Sequence, residues 1–147
     1  MKPPKDGDAC RLPAGGPPED VVSKILALRV IAVVGLSPKP ERPSHYVSKY
    51  LQEQGYKIVP GNPGHKKILG EPCWPSLAAV PFPVEVVVVF RRPEEALTPI
   101  LEAIARKAKA LWLQDGVYHE EGERMAREAG LLVVSNDCLM RRHARFD

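Results

Sequence analysis

Five short apolar runs alternate with stretches in which apolar residues recur at helical spacing, and that alternation predicts a parallel sheet with crossover helices. The runs fall at residues 30–36, 56–60, 84–90, 110–113 and 131–134. Val84-Glu-Val-Val-Val-Val-Phe90 is almost uniformly apolar, as a central strand covered on both faces requires. Between the runs, Tyr46, Val47, Tyr50 and Leu51 mark one helix, with Gly55 as its stop. Pro93-Glu94-Glu95 opens a helix expected to reach about residue 107, and residues 120–129 form another. A first helix starts at Pro18-Glu19-Asp20, with Val21, Val22, Ile25, Leu26 and Leu28 on its apolar face. Residues 66–81 are less regular and carry one expected helical turn at 76–79. The expected fold is α/β: a doubly wound, mainly parallel five-stranded sheet with helices on both faces.

A chain of 147 residues, 44% hydrophobic and 27% charged, suits one domain around one sheet. Residues 1–17, rich in proline and glycine, read as a flexible arm, which leaves 18–147 as the folded domain. No apolar run approaches the roughly 20 residues that span a bilayer, and the first residues lack a signal peptide's apolar segment. The cytoplasm is the expected compartment, and no membrane partner is expected. Cys10, Cys73 and Cys138 form no Cys-x-x-Cys pair, so free thiols are expected rather than disulfides or a zinc site. A net charge of +3 is too small to argue for nucleic acid. Much of it sits in Arg141-Arg142-His143-Ala144-Arg145, which reads as a solvated helix face.

In a doubly wound sheet, ligands bind beyond the carboxyl ends of the strands. The first strand ends at Gly35, followed by Ser37, Pro38, Lys39 and Arg42. A turn there lets loop N–H groups face a phosphate, although prolines 38, 40 and 43 remove donors and the three-glycine dinucleotide fingerprint is missing. The other strand ends offer Asn62 and Pro63, then Phe90, Arg91 and Arg92, then Gln114, Asp115 and Gly116, then Ser135 to Cys138. Lys39, Arg42, Arg91 and Arg92 therefore gather cations on one edge, which suits a small polyanion. NAD-type sites place an acid at the end of the second strand to hold the ribose hydroxyls. Val59-Pro-Gly-Asn-Pro63 has none, which weakens NAD and leaves NADP and coenzyme A as ligands with a phosphorylated ribose.

The segments Ile31-Ala-Val-Val-Gly-Leu-Ser-Pro-Lys-Pro-Glu-Arg-Pro-Ser44, Ile58-Val-Pro-Gly-Asn-Pro63, Ile68-Leu-Gly-Glu-Pro-Cys-Trp-Pro-Ser-Leu77, Val86-Val-Val-Val-Phe-Arg-Arg-Pro93, Leu111-Trp-Leu-Gln-Asp-Gly-Val117 and Val134-Ser-Asn-Asp-Cys138 together resemble the CoA-binding protein family. These are small single-domain relatives of the nucleotide-binding domain in the succinyl-CoA synthetase α subunit. The resemblance covers most of the chain, in order. It implies a Rossmann-like CoA-binding domain and coenzyme A, or an acyl-CoA, as cofactor. It implies that Gly35, Ser37, Pro38, Lys39 and Arg42 surround the phosphates of the ADP part. Asn62, Pro63, Phe90 and Arg91 would flank the adenosine, and Gln114 and Gly116 would approach the pantetheine. Gly61 departs from the family, whose members more often carry valine there.

No Ser/His/Asp or Cys/His arrangement can be assembled from spacing, so no catalytic residue and no metal ligand is assigned. His45, in the first turn of the helix after the loop, is expected on the surface, and His65 in a solvated loop. Cys73 and Cys138 read as small buried apolar residues rather than partners of the CoA thiol. Trp74 and Trp112 read as core or pocket wall. The expected function is a CoA-binding or regulatory module. The alternative is an enzyme, an NADP-dependent oxidoreductase or a catalyst acting on an acyl-CoA. A protein partner or a homo-oligomer is compatible with either.

Overall fold

A computed structural model describes residues 19–146; the expected arm at 1–17 lies outside them. In chain order the elements are α1 (Glu19–Leu26), β1 (Val30–Val34), α2 (Pro43–Glu53), β2 (Lys57–Gly61), β3 (Lys67–Ile68), β4 (Glu71–Pro72), β5 (Val86–Val89), α3 (Leu97–Ala105), β6 (Ala110–Leu113), α4 (Glu120–Glu128), β7 (Leu132–Val134) and α5 (Leu139–Phe146). The main sheet runs β2-β1-β5-β6-β7 with every pairing parallel. The doubly wound five-stranded α/β fold expected from the apolar runs is the fold observed.

Strand side chains alternate between faces, so the sheet divides two cores. Ile31, Val33, Ile58, Val86, Val88 and Trp112 pack with Val22 and Ile25 of α1, Val47 and Leu51 of α2, and Leu139 of α5. Ala32, Val59, Val87, Val89, Leu111 and Leu113 pack with Ile100 and Ala103 of α3 and Ala126 of α4. Gly61 causes no unusual geometry. It pairs with Val34 in β2, and a Cβ there would meet the Val33 carbonyl oxygen at 3.3 Å.

Two segments differ from expectation. The helix expected over 93–107 is a 3₁₀ turn, Pro93–Glu95, followed by α3. Pro99 has no N–H and its ring clashes with the carbonyl four residues back, so it is tolerated only in a first helical turn. Within 66–81, β3 and β4 form an antiparallel hairpin whose two turn residues, Leu69 (φ 56) and Gly70 (φ 77), are both left-handed. That conformation favours Asn-Gly or Gly-Gly, so Leu-Gly gave no hairpin signal. The expected helical turn at 76–79 forms as a 3₁₀ turn, Leu77–Ala79. The Arg106 guanidinium donates to the carbonyls of Leu77 (2.9 Å), Val80 (2.8 Å) and Phe82 (2.7 Å), which fixes that loop.

The amino edge of the sheet is tied at Glu85. Its carboxylate accepts the N–H groups of Arg29 at 2.7 Å and Val30 at 3.0 Å. Its carbonyl accepts from Lys109 and Ala110, so one residue links β1, β5 and β6. The two N–H donors, with Lys109 nearby, hold the Glu85 carboxyl below its ordinary range. A carboxyl lowered in the folded state stabilises the fold above the unfolded range of roughly pH 4 to 5 and loses that contribution as pH falls through the folded value. Glu85→Gln should therefore cost about 1 kcal/mol at neutral pH. In urea melts the gap from the parent protein should close below roughly pH 4.

Candidate functional site

Strand order reverses at β1, because β2 lies on one side of it and β5 on the other. The segments leaving β1 and β5 then diverge toward opposite faces and open a crevice at the carboxyl edge. Gly35 sits at its base with φ +89°, and a Cβ there would lie 2.6 Å from the Phe90 carbonyl oxygen. Only glycine permits that approach. The Gly35 N–H donates to the Gly61 carbonyl at 2.8 Å, and the Phe90 N–H donates to the Val34 carbonyl at 2.9 Å. Three strand ends are thus laced together under the crevice.

Several N–H groups of the loop above are already engaged within the fold. Ser37 N–H donates to Ser44 Oγ at 2.9 Å and Lys39 N–H to Ser37 Oγ at 3.1 Å. The Arg42 N–H donates to the Lys39 carbonyl, and Arg42 leads into Pro43 at the start of α2 without capping it through its side chain. With the N–H groups of Gly35, Ser37, Lys39 and Arg42 spent inside the fold, the side chains of Lys39, Arg42 and Arg91 supply the positive charge along the crevice. Asn62 is a brace: its Nδ2 donates to the Leu36 carbonyl at 2.8 Å, and its Oδ1 accepts the Gly64 N–H at 3.1 Å. The loops after β1 and β2 therefore move together.

The far side of the crevice is set by the start of α5. Gln114, buried, accepts the Leu139 N–H at 3.0 Å, and the Gly116 N–H donates to Asn136 Oδ1 at 2.7 Å. Trp112, in the core, donates from Nε1 to the Asp137 carbonyl at 2.8 Å. The buried Asp137 carboxylate accepts from the Cys138 N–H and from Arg142 Nε, both at 2.8 Å, and from Arg141 at 3.2 Å. Arg141 also holds Asp115 with two hydrogen bonds of 3.0 Å, which pull the Asp115 carboxyl below its ordinary range and raise Arg141 above its own. The basic cluster is only in part the solvated face expected of it: Arg141, Ala144 and Arg145 are exposed, Arg142 and His143 are not. Arg142 is buried against Asp137 because α5 packs over the sheet, and His143 meets Tyr50.

The crevice encloses about 1010 Å³. Every expected site residue except Pro63 lines it: Gly35, Ser37, Pro38, Lys39, Arg42, Asn62, Phe90, Arg91, Gln114 and Gly116. Pro63 is exposed on the loop. The lining also includes Tyr46, Val47 and Tyr50 from α2, Val117, and Met140, Arg141 and Ala144 from α5. These were read as ordinary helix residues or not singled out, although 46, 47 and 50 share their spacing with 140, 141 and 144. His65 lines the cavity and His45 does not; His45 Nδ1 is buried and finds no partner among the described residues. Cys138 lines it as well. Cys73, half-buried, donates to the Asn62 carbonyl at 3.4 Å, and burial pushes its thiol up. Among the described residues, no group of three or more His, Cys, Asp or Glu could hold a metal ion.

Residues 29–144 match the model of the CoA binding domain. The Bacillus subtilis protein YneT is 40% identical over 114 residues, 78% of this chain and 84% of that protein. The structure of a hypothetical protein from Pyrococcus horikoshii superposes with a TM-score of 0.86 at 40% identity, covering 92% of this chain and 96% of that one. An ADP-forming acetate–CoA ligase from Archaeoglobus fulgidus is 26% identical over 125 residues. That match takes in 76% of this chain and only 18% of the ligase.

Two substitutions separate the structural supports of the crevice from its rim. Asp137→Ala leaves the buried Arg142 with only the exposed Glu19 carboxylate, 4.0 Å away, and should cost about 3 kcal/mol in denaturant unfolding. Asp115→Ala removes a pair whose side chains are 57% and 52% exposed, and should cost no more than about 1 kcal/mol. Gly35→Ala should destabilise by more than about 2 kcal/mol, since both the positive φ and the Phe90 carbonyl oppose a Cβ.

Proposed function

The chain belongs to the CoA-binding domain family, and on that premise we propose that it binds coenzyme A or an acyl-CoA at the carboxyl edge of its sheet. It acts as a binding or regulatory module without catalysis of its own. The observation that carries this reading is the crevice beside Gly35, where Lys39 and Arg42 from one side meet Arg91 from the other. The carboxylate-free end of β2, Val59-Pro-Gly-Asn-Pro63, supports it further. An NAD ribose lacks its usual acceptor there, whereas a phosphorylated ribose suits the neighbouring cations.

In this reading Gly35, Ser37, Pro38, Lys39 and Arg42 surround the phosphates, with Lys39 and Arg42 supplying the charge. Asn62, Phe90 and Arg91 flank the adenosine, Asn62 by holding two loops in place, while Pro63 lies outside the crevice. Gln114 and Gly116 border the pantetheine. Bound CoA would supply a thiol, or a thioester, at the end of that arm. The domain's part is to hold and orient the molecule. The cytoplasm, expected from the sequence, is the compartment that goes with this role; no helix among the described residues is long and apolar enough to cross a membrane.

Calorimetry with CoA, acetyl-CoA, NAD, NADP and ATP tests the reading. CoA should bind, and Arg42→Ala and Arg91→Ala should each weaken it by about 1 to 3 kcal/mol. Because charged side chains carry the attraction, affinity should fall steadily with added salt. Tight NADP binding with no response to millimolar CoA would overturn the proposal and favour an oxidoreductase.

A further inference from the structure

We propose that His65 reads the phosphate on the ribose and so makes the domain distinguish coenzyme A from dephospho-CoA, most strongly at mildly acid pH. This rests on reading the crevice as the CoA site. In a doubly wound nucleotide fold the end of the second strand meets the adenosine ribose, with an acid there for free hydroxyls and a cation for a phosphorylated one. Here that position has no acid: β2 leads into its loop through Val59-Pro-Gly-Asn-Pro63, and of residues 62–67 only Asn62 and His65 line the crevice. The loop is pinned on both sides of His65. Asn62 donates its N–H to the Trp74 carbonyl at 2.9 Å and its Nδ2 to the Leu36 carbonyl at 2.8 Å. The Lys66 carbonyl accepts the Cys73 N–H at 2.9 Å. Between them Pro63 fixes one φ, and the Gly64 N–H donates to Asn62 Oδ1 at 3.1 Å. With both polar atoms of the Asn62 side chain engaged in bracing, the His65 imidazole is the group this loop offers to a ribose phosphate.

The loop after β1 brings Lys39 and Arg42 to the same cavity, and the loop after β5 brings Arg91 and Arg92. Lys66 and Lys67 follow His65 in the chain, exposed and outside the lining. Glu41 does not line the crevice. Asp115 is the one acid among the described residues that do, and Arg141 holds it with two hydrogen bonds of 3.0 Å. No free carboxylate of the lining therefore competes with a phosphate for the imidazole. Lysine and arginine keep their charge through the neutral range, whereas an imidazole changes charge between about pH 5 and 8. A phosphomonoester gains its second negative charge near pH 6. His65 thus adds attraction for the ribose phosphate at about pH 6 to 7, where both are charged, and loses it as the imidazole deprotonates at higher pH. The diphosphate bridge is common to CoA and dephospho-CoA, so the ratio of their affinities isolates the ribose phosphate.

Calorimetry on the full chain with CoA and dephospho-CoA, at about pH 6.5 and about pH 8.5, tests this. At the lower pH CoA should bind at least about tenfold more tightly than dephospho-CoA. At the higher pH that advantage should shrink by about three- to tenfold. His65 is exposed, so its variants should fold as the parent does. His65→Ala should show the smaller advantage at both pH values, and His65→Lys the larger one at both. Equal affinities for the two ligands in the parent protein, or a pH-dependent advantage that survives His65→Ala, would overturn this proposal alone. Failure of both ligands to bind would overturn the CoA reading and this proposal with it.

Discussion

Backbone meets backbone where β1 ends, and the crevice depends on that contact. Gly35 comes so near the Phe90 carbonyl that a single added carbon would stand 2.6 Å from it. With that spacing, the loop carrying Lys39 and Arg42 and the loop carrying Arg91 leave the sheet side by side and then part. A polyanion held there is met from both sides. The same tight lacing engages four of the loop's own N–H groups, as in the bond from Ser37 to Ser44 Oγ. On the proposed CoA reading, charge would be met by long cationic side chains more than by the rigid backbone cradle of the dinucleotide fold. Binding through such side chains would be sensitive to salt.

The second wall of the crevice owes its position to a buried ion pair. Asp137 and Arg142 are both nearly inaccessible, and such a pair adds little net stability over an apolar substitute while being costly to break. Its effect here is positional. By satisfying Asp137, Arg142 fixes the first turns of α5, and with them Met140 and Ala144. Gln114 acts on the same point from the sheet, through the Leu139 N–H.

The strands and the edge that carries the site were legible because apolar runs and chain order are local properties. Val86–Val89 reads as a central strand from composition alone, and ten positions that line the crevice could be named because each follows a strand. What stayed hidden depends on partners distant in sequence or on unusual backbone. Pro99 shortens α3 through a clash that its helical surroundings mask. Leu69 occupies a left-handed turn position that its side chain gives no reason to expect. Arg142 looks like its solvated neighbours until Asp137, five residues earlier, is seen buried beside it. Pro63 follows a strand as the others do, but it is exposed between Asn62, which is tied to Leu36, and His65, and both of these line the crevice. The apolar wall of Tyr46, Tyr50 and Met140 was hidden for a related reason. Helical spacing marks a buried stripe without saying whether protein or ligand buries it.

A cationic opening joined to an apolar groove makes one continuous surface for a molecule with a phosphate-rich head and a longer arm. The most direct measurement is amide chemical-shift mapping of the isotopically labelled protein during titration with CoA. The account predicts perturbations at Gly35, Lys39, Arg42, Phe90 and Gly116, spreading to Tyr46 and Met140, with the Glu85 edge unchanged. Shifts confined to the opposite edge, or to the outer faces of α3 and α4, would contradict it.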